Sequence, residues 1–169
     1  MPKLEIFFDY ICPYCLQGHE CLTELLPLYP DIEIEWRPCE AHPRPEQYGR
    51  HSDLCARGMY FALEHGADLT EYHRRMYKAA LTDGADTENI DVILDTMDGL
   101  LDSDGLREAL TSGLYEDYLL ENNRLVWGEY GCTAVPSYRM GGKLLKSVHR
   151  VGVSREQLAA FLDEHSKAK

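Results

Sequence analysis

The sequence predicts an α/β fold that contains a helical subdomain, and three observations support this prediction. A strand, a helix and a second strand are indicated within the first 37 residues. A block of helical periodicity about eighty residues long follows them. Strand patterns then return as a hairpin, and the chain closes with an amphipathic helix. The predicted order is therefore β-α-β, a helical insertion, and β-β-α.

The first elements follow from local patterns of apolar residues. LEIFF (4–8) has the length and composition of a short buried strand, although an apolar run alone does not exclude a helix. Pro13 suits the first turn of a helix, and the alternation in IEIEW (32–36) is typical of a half-buried strand. Two strands joined by a helix normally form a right-handed parallel crossover. The apolar or small residues at helical spacing after Pro13 are Cys15, Gly18, Leu22, Leu25 and Leu26.

The later elements are indicated after a proline-rich loop at residues 38–49. SYRM (137–140), a Gly-Gly turn and KLLKSV (143–148) predict an antiparallel hairpin. Ser154 and Gln157 form a capping box at the start of the last helix. The residues at helical spacing in the central block are Leu69, Tyr72, Met76, Tyr77, Ala80, Ile90, Ile93, Leu94 and Met97, followed by Leu119, Val126 and Tyr130 in a longer helix.

Composition and charge exclude several classes of protein. The chain has 169 residues, of which 44% are hydrophobic, enough to build a core, and its formal net charge is -12. Such an acidic surface lacks the cations needed to bind nucleic acid or an anionic membrane. No stretch approaches the roughly 18 apolar residues of a membrane span. Glu5 and Asp9 break the first apolar run, which is unlike a secretory signal, so with Met1 as the native start we expect a cytoplasmic protein.

The cysteines suggest redox chemistry. Thiols are kept reduced in the cytosol, so the six cysteines do not predict a framework of three disulfides. Cys12 and Cys15 form a CxxC motif between the first predicted strand and helix. Free amide groups and the positive end of the helix dipole stabilise a thiolate at this position. We therefore predict Cys12 as a nucleophile of lowered pKa and Cys15, one turn further on, as the resolving thiol.

Two alternatives for these cysteines remain open. A zinc site would need a second ligand pair, and Cys39, His42 and Cys55 are candidates that lack the paired spacing of zinc ligands. CxxC is also a common short motif, so a disulfide staple or two inert core cysteines would fit it. We expect no metal site, because a strand before the motif and a helix after it favour an exchanging pair.

Cys21 is expected to have a different role. It lies nine residues after Cys12, which corresponds to about 900° of rotation and places it on the opposite side of a straight helix. We predict that Cys21, Cys39 and Cys55 pack as small hydrophobic residues. His19, His42 and His149 are expected to be surface or loop residues and not metal ligands, since none has a spaced partner.

The segment GCTAVPSY (131–138) contains the second motif. A proline at the start of a returning strand cannot donate to the sheet, and such a bond is sometimes cis. On its own this signal is weak. Together, however, CPYC after the first strand and VPS before the hairpin resemble the thioredoxin fold, and the helical insertion between them resembles the DsbA-like thioredoxin family. FFDYICPYC, RPCEAHPRP and YGCTAVPSY more narrowly resemble its FrnE-like and 2-hydroxychromene-2-carboxylate isomerase branch.

This resemblance implies a thioredoxin-like fold, with a central mixed sheet flanked by helices. Residues 1–45 and 115–169 would form the thioredoxin-like domain, and 46–114 an inserted all-helical subdomain. By the same resemblance, Val135 and Pro136 would form a cis pair facing Cys12, where the backbone pairs with an extended substrate. Pro13 and Tyr14 complete the predicted substrate-binding residues, and this Pro-Tyr dipeptide resembles that of many glutaredoxins.

The implied function is that of a DsbA-like thiol-disulfide oxidoreductase. Its expected partners are thiols and disulfides of proteins or small molecules, without metal or organic cofactor, and a homodimer is left open. The isomerases and kappa-class glutathione transferases of this branch typically carry serine in place of Cys12, so the two cysteines here favour dithiol chemistry. The alternatives are an isomerase or transferase of aromatic molecules with glutathione as co-substrate, and a non-enzymatic redox-sensing or zinc-binding module. Cys132, three residues before Val135, is expected to pack, with a place near the active site left open.

Overall fold

The four strands form one mixed sheet in the computed structural model, which describes residues 1–166. The strands are β1 (Lys3–Phe8), β2 (Glu33–Pro38), β3 (Ser137–Met140) and β4 (Lys143–Leu145), arranged in the order β2-β1-β3-β4. β1 is parallel to β2 and antiparallel to β3, which in turn is antiparallel to β4. The predicted parallel pair, the hairpin and the mixed sheet are confirmed.

The second strand of the hairpin is shorter than predicted, since β4 ends at Leu145 instead of residue 148. The backbone N–H of Ser147 donates to Ser137 Oγ at 3.2 Å, and its hydroxyl donates to the carbonyl of Pro136. Ser147 thus bonds to the start of β3 from outside the ladder, and the chain turns away from the sheet there.

Helices flank the sheet, as predicted. In the described part of the chain they are α1 (Pro13–Leu25), α2 (Asp53–Glu64), α3 (Leu69–Tyr77), α4 (Ile90–Thr96), α5 (Ser103–Thr111), α6 (Glu116–Asn123) and α7 (Arg155–His165). Wider π-helical turns extend α3 through Thr82 and α6 through Glu129. The capping box of Ser154 and Gln157 is present at α7. No helix among residues 1–166 has the length and apolar character needed to cross a bilayer.

The inserted helices α2 to α5 lie within the predicted subdomain 46–114, and that division of the chain stays a prediction. α2 packs against α3, α4 and α5. A buried side chain, Arg57 of α2, donates to the carbonyls of Ala109, Leu110 and Leu114 at and just beyond the end of α5. The Leu110 carbonyl is one of those that the end of a helix leaves without an internal partner, and Arg57 supplies that partner.

Helices cover both faces of the sheet, and β1 is therefore buried along most of its length. Ile6 and Phe8 lie on the face that contacts α1, where Leu22 and Tyr138 are also buried. Phe7 lies on the opposite face and packs edge-on against Tyr130, with ring centroids 5.8 Å apart. This alternation is the period-2 pattern of a strand with two covered faces, which explains why its sequence reads as a continuous apolar run.

A buried carboxylate joins three strands on the Phe7 face. Glu5 of β1 is 7% exposed. Its Oε1 accepts from Arg37 of β2 at 2.8 Å, and its Oε2 accepts from Arg139 of β3 at 2.6 Å. Arg37 also donates to Asn122 of α6 at 3.2 Å. Two charge-assisted hydrogen bonds offset the cost of burying this carboxylate and connect the sheet to α6.

An aromatic cluster connects the inserted helices to the chain just before CPYC. The hydroxyl of Tyr10 is hydrogen-bonded to Nδ1 of His73 in α3 at 2.9 Å, and the rings of His73 and Trp36 lie 4.3 Å apart. Burial lowers the pKa of His73 to about 3, so its ring is neutral. His19 packs against this ring at 5.2 Å and is half-buried, so the prediction of a surface position for it is wrong.

Gly18 lies where α1 packs against Pro136 and Tyr138. A Cβ atom at this position would be 2.6 Å from the Tyr138 hydroxyl and 2.9 Å from Cγ of Pro136. We expect Gly18→Ala to destabilise the protein by about 1–3 kcal/mol through overpacking, despite the higher helix propensity of alanine. Chemical denaturation measures this difference. Gly128→Ala is the control, because no atom lies within 4 Å of its Cβ position, and equal losses in both variants would contradict the prediction.

Candidate active site

The CPYC turn places both thiols at the first turn of α1. Cys12 is the N-cap residue and has an extended backbone, and Pro13 occupies the first turn, as predicted. The carbonyl of Cys12 accepts from the N–H groups of Cys15 at 3.0 Å and Leu16 at 3.2 Å. The Cys12 and Cys15 side chains lie 3.2 Å apart. All six cysteines are free thiols, so the structure contains the reduced pair.

The two thiols have opposite electrostatic environments. A hydrogen bond from the Cys15 thiol is the main cause that lowers the pKa of Cys12, and the N–H groups of Cys15 and Tyr14 add to it while burial opposes it. Cys15 is 1% exposed, and burial raises the pKa of its thiol well above the usual value. The direction predicted for Cys12 is confirmed. The helix amides contribute, but the larger part comes from the neighbouring thiol.

Asp9 connects the end of β1 to this turn. Its carbonyl accepts from the N–H of Cys12 at 3.1 Å, and its own N–H donates to Cys15 Sγ at 3.4 Å. The buried carboxylate accepts from Ile11 N–H at 3.1 Å and from Ala41 N–H at 2.9 Å. Burial raises the pKa of Asp9, and these bonds oppose that rise. The negative charge of Asp9 in turn raises the pKa values of both thiols.

The structure brings Val135 and Pro136 to the thiol pair, about 120 residues further along the chain. Cys12 Sγ donates to the carbonyl of Val135 at 3.6 Å, and the Val135–Pro136 peptide bond is cis. Both residues are buried, and Pro136 lies with Cys15 behind the turn. Pro13 is exposed at the start of α1 and, unlike Tyr14, is not part of the groove described next.

Cys12 opens onto a groove of about 450 Å³. The loop after β2 forms one side, the segment before β3 forms the floor, and the loop after β4 forms the other side. The groove is lined by Cys12, Tyr14, Glu40, Ala41, His42, Pro43, Trp127, Thr133, Ala134, Val135, Val148, His149 and Arg150. Most of these lining atoms are apolar, as in binding grooves that hold a ligand by contact area and orient it by a few polar groups.

Sequence reasoning missed four residues of this region. Asp9 entered only as a break in an apolar run, although an acidic residue at the end of a buried strand and three positions before Cys12 is a usable signal. Glu40, Trp127 and Arg150 have no local signal, because elements distant in the chain bring them to the groove. Trp127 Nε1 donates to the Glu40 carbonyl at 2.9 Å, which holds the loop after β2 against the turn that extends α6.

The other cysteines differ in burial. Cys39, Cys55 and Cys132 are 1%, 0% and 4% exposed, as expected for packed thiols. Cys21 is half-buried on the far side of α1 and packs against the core from there, which agrees with its predicted packing role. Among residues 1–166, no three His, Cys, Asp or Glu side chains are grouped so that they could hold a metal ion.

The family of the chain follows from its sequence over almost its full length. The family model of the DSBA-like thioredoxin domain matches residues 3–163. The chain belongs to this family. Among curated proteins, this DsbA-like chain is similar to the uncharacterised protein YwbO of Bacillus subtilis (strain 168). The two are 24% identical, and the match covers 91% of this chain and 96% of YwbO.

Solved structures share the fold. A probable DsbA oxidoreductase from Streptomyces coelicolor has a TM-score of 0.76 at 15% identity, covering 98% of this chain and 90% of its own. A thioredoxin-like oxidoreductase from Silicibacter pomeroyi DSS-3 has a TM-score of 0.71 at 22% identity, covering 99% and 88%. DsbA of Pseudomonas aeruginosa has a TM-score of 0.70 at 15% identity, covering 96% and 80%. The predicted thioredoxin-like fold is confirmed.

Replacing Cys15 should change the titration of Cys12. The Cys15 thiol is the main group that stabilises the Cys12 thiolate, so Cys15→Ala should raise the pKa of Cys12 towards the ordinary value of about 8.5. The rate of iodoacetamide labelling at Cys12, followed against pH by peptide mass spectrometry, measures this pKa. Cys21→Ala is the control, on the far side of α1. A Cys12 profile that stays the same in Cys15→Ala would contradict this explanation.

Proposed function

We propose that this DsbA-like protein is a thiol-disulfide oxidoreductase whose reactive centre is Cys12 and Cys15. The observation that carries the proposal is the difference between the two adjacent thiols. Cys12 has a lowered pKa and borders an open groove, whereas Cys15 is buried with a raised pKa. A thiolate attacks a disulfide much faster than a thiol does, so an incoming disulfide meets Cys12 first.

In the reducing direction, the Cys12 thiolate attacks one sulfur of a substrate disulfide. A bond forms between Cys12 and that sulfur, and the other substrate sulfur leaves as a thiolate. Cys15 then loses its proton and attacks Cys12 of the mixed disulfide, which releases the second substrate thiolate and leaves a Cys12–Cys15 disulfide. Two thiols are oxidised and one disulfide is reduced, so the electrons balance without a metal or organic cofactor.

The oxidising direction is the reverse of these steps. A substrate thiolate attacks Cys12 of the Cys12–Cys15 disulfide, and Cys15 leaves. A second substrate thiol then displaces Cys12, so the substrate receives a disulfide and the protein regains two thiols. The burial of Cys15 favours this sequence, because a partner can reach only Cys12 from the groove.

The groove residues support binding of substrate next to Cys12. The Val135 carbonyl already accepts from Cys12 Sγ, so backbone polar groups of this segment lie at the reacting sulfur. An extended substrate segment would bind along the backbone at Val135 and Pro136 by main-chain hydrogen bonds, the mode that peptide-binding edges use. Tyr14 contributes through its ring on the loop side of the groove, and Pro13 contributes by shaping the start of α1.

Cys12→Ser should reduce insulin reduction and dithiol oxidation to the rate of the uncatalysed reaction, because serine cannot form the mixed disulfide. Turbidity of reduced insulin and a fluorescent peptide dithiol provide the two measurements. Cys21→Ser should keep the activity of the natural protein, since Cys21 lies on the far side of α1. Activity retained in Cys12→Ser would show the mechanism to be wrong.

Cys15→Ser should accumulate a mixed disulfide through Cys12, because no second thiol of the pair remains to release the partner. The trapped species should appear on non-reducing gels, disappear with dithiothreitol and map to Cys12 by mass spectrometry. Cys12→Ser is the matched control and should trap nothing at this centre. Turnover by Cys15→Ser that depends on glutathione would instead favour the isomerase or transferase alternative.

A further inference from the structure

Arg150 differs from the other arginines of the chain. Ten of the eleven arginines donate through their guanidinium groups to carboxylates or carbonyls. These ten are Arg37, Arg44, Arg50, Arg57, Arg74, Arg75, Arg107, Arg124, Arg139 and Arg155. The Arg150 guanidinium makes no hydrogen bond or ion pair within residues 1–166, although Arg150 lines the groove at Cys12. An unpaired arginine beside a reactive thiol is available to a ligand.

The backbone holds Arg150 in place at some cost. Arg150 has φ 62, in the left-handed region, which is unfavourable for a residue other than glycine. The hydroxyl of Tyr14, from the CPYC motif, donates to the Arg150 carbonyl at 2.8 Å. Gly152 packs so closely on the Tyr14 ring that a Cβ atom would lie 3.2 Å from Cδ1. The redox motif itself therefore positions the loop that carries this arginine.

The groove has more basic than acidic lining residues, unlike the protein as a whole. Its basic lining residues are His42, His149 and Arg150, and its acidic one is Glu40. Glu40 is 4% exposed, burial raises the pKa of its carboxyl, and its Oε1 accepts from Asn123 at 3.1 Å. His42 is hydrogen-bonded to Glu46 at 2.9 Å. Arg150 is thus the permanent, unpaired cation of a groove in a chain of net charge -12.

We propose that the substrates of this centre carry a carboxylate close to the reacting sulfur, and that Arg150 selects them. This inference rests on the proposed thiol-disulfide exchange. A guanidinium group binds a carboxylate through two parallel N–H···O bonds, which gives orientation as well as affinity. The bond change is the one described above: Cys12 forms a bond to the substrate sulfur, and the other substrate sulfur leaves as a thiolate. Arg150 holds the carboxylate during this attack.

The first test compares two small disulfides that differ only in charge, 3,3′-dithiodipropionic acid and its diamide. The rate constant for mixed disulfide formation at Cys12 is measured by acid quench and mass spectrometry. Arg150→Gln should slow the reaction of the diacid roughly tenfold, the effect of losing a charge-assisted pair, and should change that of the diamide less than about twofold. Arg150→Lys keeps the charge but not the paired geometry. Its rate constant with the diacid should therefore lie between those of the natural protein and Arg150→Gln.

Two controls separate this role from other effects. Arg107→Gln removes the same charge from a surface site paired with Asp91, so it should leave the preference for the diacid unchanged. Arg150→Gly removes the side chain and relieves the left-handed strain. It should lose the preference for the diacid as Arg150→Gln does, and it tests the proposal even if the Arg150→Gln variant folds poorly. The pKa of Cys12 should not move in these variants, because the groups that lower it lie within the CPYC turn.

A second arm distinguishes the source of the carboxylate. Capped peptide disulfides containing Cys-Glu or Cys-Gln present it as a protein side chain. If Arg150→Gln removes a preference for Cys-Glu over Cys-Gln peptides, the natural substrate is an acidic protein segment. If it removes only the preference for the diacid over the diamide, the natural substrate is a small molecule. Either result supports the proposal. Equal effects of Arg150→Gln on charged and neutral substrates, or no effect, would overturn it. Failure of the natural protein to react with any disulfide would contradict the proposed function instead.

Discussion

The reactive end of the molecule depends on the hydrogen bonds of Asp9. Its carboxylate accepts from Ile11 and Ala41, its carbonyl accepts from Cys12, and its N–H donates to Cys15 Sγ. One residue thereby joins the end of β1, the backbone of Cys12, the sulfur of Cys15 and the loop after β2. A buried carboxylate without such partners would cost several kcal/mol. The need to satisfy it therefore restricts where the CPYC turn and the wall of the groove can lie.

The same arrangement tunes the two sulfurs in opposite directions. Asp9 raises the pKa of each thiol, yet the pKa of Cys12 falls because the Cys15 thiol and two amides donate towards its sulfur. Cys15 accepts a hydrogen bond from Asp9 N–H, but this bond does not offset the rise in pKa caused by its burial in the core. Burial and hydrogen bonding thus give two thiols of the same motif opposite pKa shifts. This difference of environment between two residues of the same type is the basis of the roles proposed for them.

The CPYC motif also helps to shape the groove at Cys12. Tyr14, between the two cysteines, bonds to the carbonyl of Arg150 and packs on Gly152. Cys12 bonds to the Val135 carbonyl on the other side. The four-residue motif therefore contacts two separate loops besides carrying the thiols. A change within the Pro-Tyr dipeptide would alter both the thiol environment and the position of the groove wall.

The sequence by itself determined most of the elements and the position of the CxxC motif between a strand and a helix, because these depend on local patterns. The mixed sheet is predicted through the resemblance to the thioredoxin fold. Period-2 and helical spacing predict β1, β2 and α1, and CxxC between a strand and a helix predicts where thiolate is stabilised. Only the tertiary structure decided that Asp9 bonds to Ala41 and that Glu40 and Arg150 line the groove at Cys12, since contacts between residues distant in the chain leave no periodic trace. It also decided that β4 ends early and that His19 lies against His73. Those outcomes depend on hydrogen-bond partners and packing that only the folded chain brings together.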